Sequence, residues 1–498
     1  MTFATPMGIS GRTDRIVGDN ESGRAELFLR GFIIATGLGA SLLFIVVGSS
    51  AELQMFGDGS IFSYSVAAQD AWAFHWHNIA GRLFSYVFAY VPAEFTVALT
   101  NNAKAGIFVY GLLHFCAPLL GLAATWAADR TPKRTIFVYA CLSTACLCPF
   151  VFGFPTEMWM AHAVFWPALG LCLCAPRTTA GNLAVFAALL SLIFTHEGAL
   201  VLASAILFAL VLRGWRDPIF LRALGAFFTV AAIWFILRAA LPPDDYISGV
   251  LAAAAFRFID IGNLEQPALL VLLGALWDYL ILAFVLRRLG FATPVCAALL
   301  PATGLIVYWV WFDTSLLADA RYEMRTLLLI TTPALGMAAA VQAMREEERR
   351  SSPFTWAMRL AGASERRLDP QIILGAIALT LLVHGVETTK FVRGWANYKS
   401  AVRALATGSA SDPALGDAGF VSSKRIGPDL TQLAWNSTTP YLSVLVAPGL
   451  TPTRLVVDPE TGYFWLSCET ATRSGETSTA IPLQARELIR RYSCLHRP

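Results

Sequence analysis

Residues 57–82 read "GDGSIFSYSVAAQDAWAFHWHNIAGR" and set Asp58, Asp70, His75, His77 and Arg82 among aromatic side chains. A carboxylate here can act as general base for an attacking hydroxyl, and a guanidinium can hold a phosphate through paired charge-assisted hydrogen bonds. The "HWH" spacing puts two imidazoles on one face of a strand but not of a helix, so a metal would need a further ligand such as Asp58 or Glu197. Structural roles compete with these: "GDGS" suits an Asx turn at Asp58, and Asp70 suits a solvated helix position.

Three further groups carry similar chemistry. His196 and Glu197 in "THEG" interrupt an otherwise apolar segment, where a charge is costly unless it is paired or lines a substrate path. The stretch "LPPDDYISGVLAAAAFRFIDIGNLEQP" holds Asp244, Asp245, Arg257 and Asp260, and "WFDTSLLADARYEMR" holds Asp313, Asp319, Arg321, Tyr322 and Arg325. Arg321 and Arg325 stand at i and i+4 on one helix face, placed either to hold a phosphate or to snorkel at an interface. His114, His162 and His384 lie in or beside apolar runs and read as packed side chains.

The elements that must position these residues follow from composition. The chain has 498 residues, 56% hydrophobic and 14% charged, which excludes an ordinary soluble globular protein and predicts a polytopic membrane protein. A net charge of +3 is small for this length, and the basic residues cluster between apolar runs, so they signal topology rather than a nucleic-acid surface. No nucleic-acid partner is expected. Residues 1–30, with Arg12, Arg15, Arg24 and Arg30, form a cytoplasmic, uncleaved N-terminal segment.

A spanning helix needs roughly 20 apolar residues, and loops rich in Lys and Arg stay inside. The first run, 31–50, leaves the first outer loop at 51–105. To keep the basic loop "DRTPKR" inside, only 107–127 crosses next, and 83–99, with Tyr86, Tyr90 and Glu94, lies along the outer interface or re-enters it, broken near Pro92. Further spans fall at 136–153, 161–175, 183–195, 199–212, 219–240, 268–286, 294–312, 326–343 and 371–388. The expectation is about eleven spans in a transmembrane unit at 31–389, in the cytoplasmic membrane, with all four polar groups opening on the outer side. The segment 183–212 reads as a short hairpin turning at "THEGA" because arginines flank both its ends.

Residues 390–498 lose the long apolar runs and form a small soluble α+β domain outside the membrane. There "YLSVLVAPG", "RLVVDP" and "YFWLSCE" read as strands, and "WANYKSAVRALA" and "LQARELIRRY" as helices. Cys468 and Cys494 are its disulfide candidate. Cys116, Cys141, Cys146, Cys148, Cys172, Cys174 and Cys296 lie in apolar runs and read as packing residues.

This layout resembles the GT-C superfamily of membrane glycosyltransferases, which take sugars from polyprenyl-phosphate carriers at the outer face of the cytoplasmic membrane. The resemblance covers most of 25–390: an inside N-terminus, one span, a long outer loop with an acidic residue and interfacial helices, then further spans with short outer loops. It implies an inverting transferase that moves a carrier-linked sugar to a glycan or lipid acceptor. The loop aspartate acting as base corresponds by position to Asp58, and the basic residues holding the carrier phosphate correspond to Arg321 and Arg325. His75, His77, Arg82, His196, Glu197 and Tyr322 are the accompanying substrate-binding candidates. The loop lacks the acidic pair of better-known members, which leaves Asp58 and Asp70 both open as the base and gives no support to a divalent metal; no cofactor is expected. Two alternatives compete, an envelope polysaccharide polymerase or ligase and a transporter or flippase. Short later outer loops argue against the first, and the lack of an internal repeat argues against the second.

Overall fold

The computed structural model describes residues 10–74, 81–147, 157–241, 267–290, 294–313, 318–346, 370–408, 419–431, 433, 438–458 and 480–495. For 10–23, 73–74, 267–268, 294–295, 318–326 and 493–495 it describes the backbone course alone.

The chain is a helical membrane protein. Eight described helices are long and apolar enough to cross a bilayer, and four shorter apolar helices accompany them. In chain order the helices are α1 (Ser10–Ser50), α2 (Gly59–Ala67), α3 (Leu83–Thr100), α4 (Ala103–Ala128), α5 (Thr135–Leu147), α6 (Glu157–Cys174), α7 (Thr179–Ile193) and α8 (Ala199–Val211). Then come α9 (Pro218–Ala240), α10 (Pro267–Arg288), α11 (Leu299–Trp311), α12 (Ala318–Glu346) and α13 (Pro370–Thr407). Each of the eleven expected spans coincides with one of these helices. Seven of the eleven, α1, α4, α6, α9, α10, α12 and α13, are long enough to cross, as is α3, which is not among the expected spans; α5, α7, α8 and α11 are shorter than a full span.

Close helix crossings depend on glycine. A Cβ on Gly37 of α1 would lie 2.6 Å from the Cα of Cys141 in α5, and one on Gly121 of α4 would lie 2.5 Å from the carbonyl oxygen of Ala163 in α6. Small residues let backbones approach this closely where lipid supplies no hydrophobic drive to associate. Around these crossings Phe44 packs edge-on against Phe115 and Trp159, and Trp159 and Trp166 are fully buried.

Helix α3 is also long and apolar enough to cross, and it packs against α4. Phe84 and Phe88 pack on Ala117, Met160 and Ala163; Tyr90 lies on Tyr110; and Ala93 and Val97 meet Gly106. So α3 runs antiparallel along α4 from Gly106 to Ala117, and its first turns also reach Met160 and Ala163 of α6. The return is made by Asn101 in the left-handed region (φ 52°) and by Asn102, whose Oδ1 accepts the Ala105 N–H and caps α4. Pro92 lies in the first turn of the segment Val91–Thr100, after a π turn at Tyr86–Tyr90, so the helix continues past it rather than breaking there.

One end of the bundle is basic. Lys133 pairs with Glu26 at 3.0 Å, Arg30 donates to the Lys133 carbonyl, Arg213 meets Asp217 at 3.5 Å, and Arg222 donates to the Cys172 and Ala175 carbonyls. The opposite end gathers loop 1, the α7–α8 turn, the start of α6 and the end of α9.

Helix α13 runs unbroken from Pro370 to Thr407, so residue 390 is not a hinge; the helix itself carries the chain into the C-terminal unit. There β1 (Phe420–Ser422) and β2 (Leu455–Val457) pair in parallel, with Phe420 opposite Leu455. The stretch read as a strand at "YLSVLV" is instead a helix, α14 (Thr439–Val446), with Pro440 in its first turn. Its run is too short for periodicity to decide, and the proline start signal prevails. The Ser443 hydroxyl accepts the Val456 N–H at 2.9 Å, locking α14 to β2. Helix α15 (Leu483–Leu495) closes the unit through Leu488, Ile489 and Tyr492. "RLVVDP" and "LQARELIRRY" therefore fold as expected, whereas "YFWLSCE" lies outside the described residues.

Candidate functional site

Arg82 is the hub of the loop-1 end. Its Nη1 lies 3.2 Å from Glu157 Oε1 and its Nε 3.5 Å from Glu197 Oε2. Arg238, from the last turn of α9, approaches the other oxygen of Glu197 at 3.9 Å and lays its guanidinium over Trp234. Two guanidiniums thus face two carboxylates, all at least four-fifths buried, which is the pairing that makes buried charge tolerable. Burial by itself pushes the Glu197 carboxyl up, but the neighbouring positive charge, led by Arg82, outweighs it and holds the group below the ordinary value.

His196 contributes differently. Its Nδ1 accepts the Gly198 N–H at 3.0 Å, so that nitrogen carries a lone pair and not a proton. Its 3.7 Å approach to Glu197 is therefore not an ion pair in this geometry, and the guanidiniums supply the attraction.

The backbone fixes this hub in place. The Phe84 N–H donates to the Phe194 carbonyl at 2.9 Å, and the Ser85 hydroxyl donates to the Thr195 carbonyl at 3.0 Å. The start of α3 is thereby tied to the α7–α8 turn, and Arg82 is brought onto Glu197. Sequence reasoning singled out Arg82, His196 and Glu197 but missed Glu157 and Arg238. The available signal was a lone charge at the end of an apolar helix, which each of the two is.

Asp58 and Asp70 flank α2, every residue of which is buried. Gly57, at φ 58°, makes the turn into it. Asp58 occupies the N-cap position with helical backbone angles, and its side chain does not cap the helix, so the Asx-turn role is not the one it plays. The charge of Asp58 reaches the Tyr110 hydroxyl, which sits 3.4 Å from that of Tyr90, and Glu157 acts on the same two phenols. Asp70 lies at the other end, where its charge acts on Tyr64, Tyr86 and Glu94. Glu94 accepts the Ala71 N–H at 2.7 Å and the Tyr86 hydroxyl at 3.5 Å. The two aspartates therefore act on different groups: Asp58 on Tyr110, which Glu157 also reaches, and Asp70 on Tyr64, Tyr86 and Glu94.

Other candidates are placed or fall outside. Asp313 is spent on Lys390 at 2.6 Å, in a cluster where Glu387 accepts the Trp309 indole N–H. Arg321, Tyr322 and Arg325 lie in the first turns of α12, whose far end meets Thr135 at the basic end through Glu346, so those turns stand at the loop-1 end. Their side chains lie outside the described residues, as do His75, His77, Asp244, Asp245, Arg257, Asp260, Cys468 and the side chain of Cys494. His162 bonds Ser143 Oγ at 2.9 Å, and His384 Nε2 bonds the Cys146 carbonyl at 2.7 Å, as packed histidines do. Among the described residues no three His, Cys, Asp or Glu side chains converge as a metal site.

Compared with protein-family models, with curated proteins and with solved structures, this chain matches none of them.

Proposed function

We propose that this protein is an inverting glycosyltransferase that moves a sugar from a polyprenyl-phosphate carrier to a glycan or lipid acceptor at the loop-1 face of the membrane. The observation that carries the reading is the place of Asp58, a loop-1 carboxylate at the start of a fully buried helix beside the bundle's loop-1 end. Asp58 takes the proton of the acceptor hydroxyl as its oxygen attacks the anomeric carbon. The bond from that carbon to the phosphate oxygen breaks, and the phosphate leaves with the electron pair from the opposite side. One displacement inverts the centre.

Arg82 and Arg238 are already matched by Glu157 and Glu197, so they suit positioning better than phosphate binding. The phosphate falls to Arg321 and Arg325, four residues apart on α12, which stabilise its developing charge. Asp70 remains the second candidate for the base.

The test is transfer from a panel of labelled polyprenyl-phosphate sugars by the purified protein in lipid nanodiscs, beside Asp58→Asn and Asp70→Asn. Removing a general base costs about 10²–10⁴ in rate. Transfer lost in Asp58→Asn and kept in Asp70→Asn supports the reading. Extension of a carrier-linked oligosaccharide with no monosaccharide carrier consumed would reassign the chain as a polymerase.

A further inference from the structure

The C-terminal unit grips loop 1 at several independent points. At the entry to the loop, the Trp395 indole N–H and the Lys399 ammonium both donate to the Ala51 carbonyl, at 3.0 and 2.8 Å, and Lys399 pairs with Glu52 at 2.7 Å. Phe56 packs edge-on against both Phe391 and Trp395 of the same helix. Next to Asp58, the Ser60 hydroxyl donates to the Thr438 carbonyl at 3.2 Å, and one turn on, Tyr64 packs against Tyr441 at 5.3 Å between ring centres. The Tyr398 hydroxyl and Thr439 Oγ1, 3.3 Å apart, tie α13 to the start of α14. At the far end of α2, Arg486 of α15 and Asp70 act with opposite sign on the Tyr64 hydroxyl.

These contacts surround the helix that separates the two candidate bases, and their partners come from three different elements of one unit. A module that merely trailed from the membrane part would leave the α2 face open to water; here all nine residues of α2 are buried, between α4 and α14. We infer that the C-terminal unit is a positioning clamp for the catalytic loop, with Trp395, Lys399 and Tyr441 as positioning residues that set where Asp58 stands.

The inference rests on the transferase reading for what the clamp positions, though not for its existence. A carboxylate displaced by about 1 Å loses much of its rate while the binding of the donor is untouched. Without the clamp, α2 keeps its contacts with α3 and α4 and loses those with α14, and local opening follows.

The deciding experiment is amide hydrogen exchange of the full chain in nanodiscs, read on peptides spanning 57–70 and, as internal control, on α6. Tyr441→Ala should speed exchange of 57–70 by about tenfold, the scale of a lost aromatic pair, and leave α6 unchanged. Lys399→Met should do the same at the loop entry, and Lys399→Arg, which can still reach both the Ala51 carbonyl and Glu52, should restore protection. The Lys399 pair covers the case in which Tyr441→Ala does not fold. Unchanged exchange of 57–70 in the folded variants overturns the clamp.

Transfer is measured on the same samples. A clamp that positions the base lowers kcat with the donor KM unchanged, whereas a glycan-binding role for this unit would raise an acceptor KM and leave 57–70 protected. If the exchange changes appear and the wild type transfers no sugar, the clamp stands and the transferase reading fails.

Discussion

Arg82 and Glu197 come from segments more than a hundred residues apart and meet at 3.5 Å, with the first backbone bonds of α3 holding them together. The ion pair and the Phe84–Phe194 bond are one joint: it seats the start of α3 on the α7–α8 turn.

Removing Glu197 leaves two buried guanidiniums with a single carboxylate between them. Glu197→Gln is expected to destabilise the protein by about 3–5 kcal/mol, the usual cost of breaking a buried pair from one side. Thermal unfolding in detergent measures it, and a variant with unchanged Tm would show that the joint carries no stability.

The same carboxyl makes a pH prediction. Its folded pKa lies below the ordinary 4.5, so its contribution is complete above that value and is lost as pH falls through the folded pKa. The Tm gap between wild type and Glu197→Gln should be constant from neutral pH to about 5 and shrink below about 4. A gap that widened on acidification would reverse the sign assigned here.

Gly121→Ala places a methyl 2.5 Å from the Ala163 carbonyl oxygen, which is backbone and cannot swing aside. The α4–α6 crossing must then open, at about 1–3 kcal/mol. Gly225→Ala, at a position with nothing within 4 Å, serves as the control and should cost little or stabilise.

If Arg321 and Arg325 hold the carrier phosphate, replacing both with Ala should raise the donor KM by about tenfold or more, with a smaller fall in kcat where the leaving group is stabilised. A donor KM that did not move would send the phosphate elsewhere on the loop-1 face.

Orientation is open to labelling. Asn101→Cys at the α3–α4 turn should react with a membrane-impermeant thiol reagent added to intact cells, and Lys133→Cys at the basic end should not. A reversed pattern would place loop 1 in the cytoplasm.

Hydropathy located every apolar helix because burial in lipid demands about twenty apolar residues whatever the neighbours do. The charge of the "DRTPKR" loop makes 83–99 read as an interfacial segment, whereas the helix Leu83–Thr100 is itself long and apolar enough to cross. What local pattern could not supply were the partners. Glu157 and Arg238 join Arg82 and Glu197 only after four helices have packed. Likewise, the run "YLSVLV" at α14 is too short and apolar to tell strand from helix until Ser443 is seen bonding β2 from a helix.

The short helices beside this joint also act on the lipid around them. Helices α7 and α8 have 15 and 13 residues, about 20–22 Å at the helical rise, against a hydrocarbon layer of about 30 Å. Leu183, Val201 and Phe208 on α7 and α8 are exposed and face that layer. Where the bilayer relieves such a mismatch by thinning, its surface dips along this flank of the protein. A lipid diffusing up to it carries its head group down to the depth of the α7–α8 turn while remaining in water.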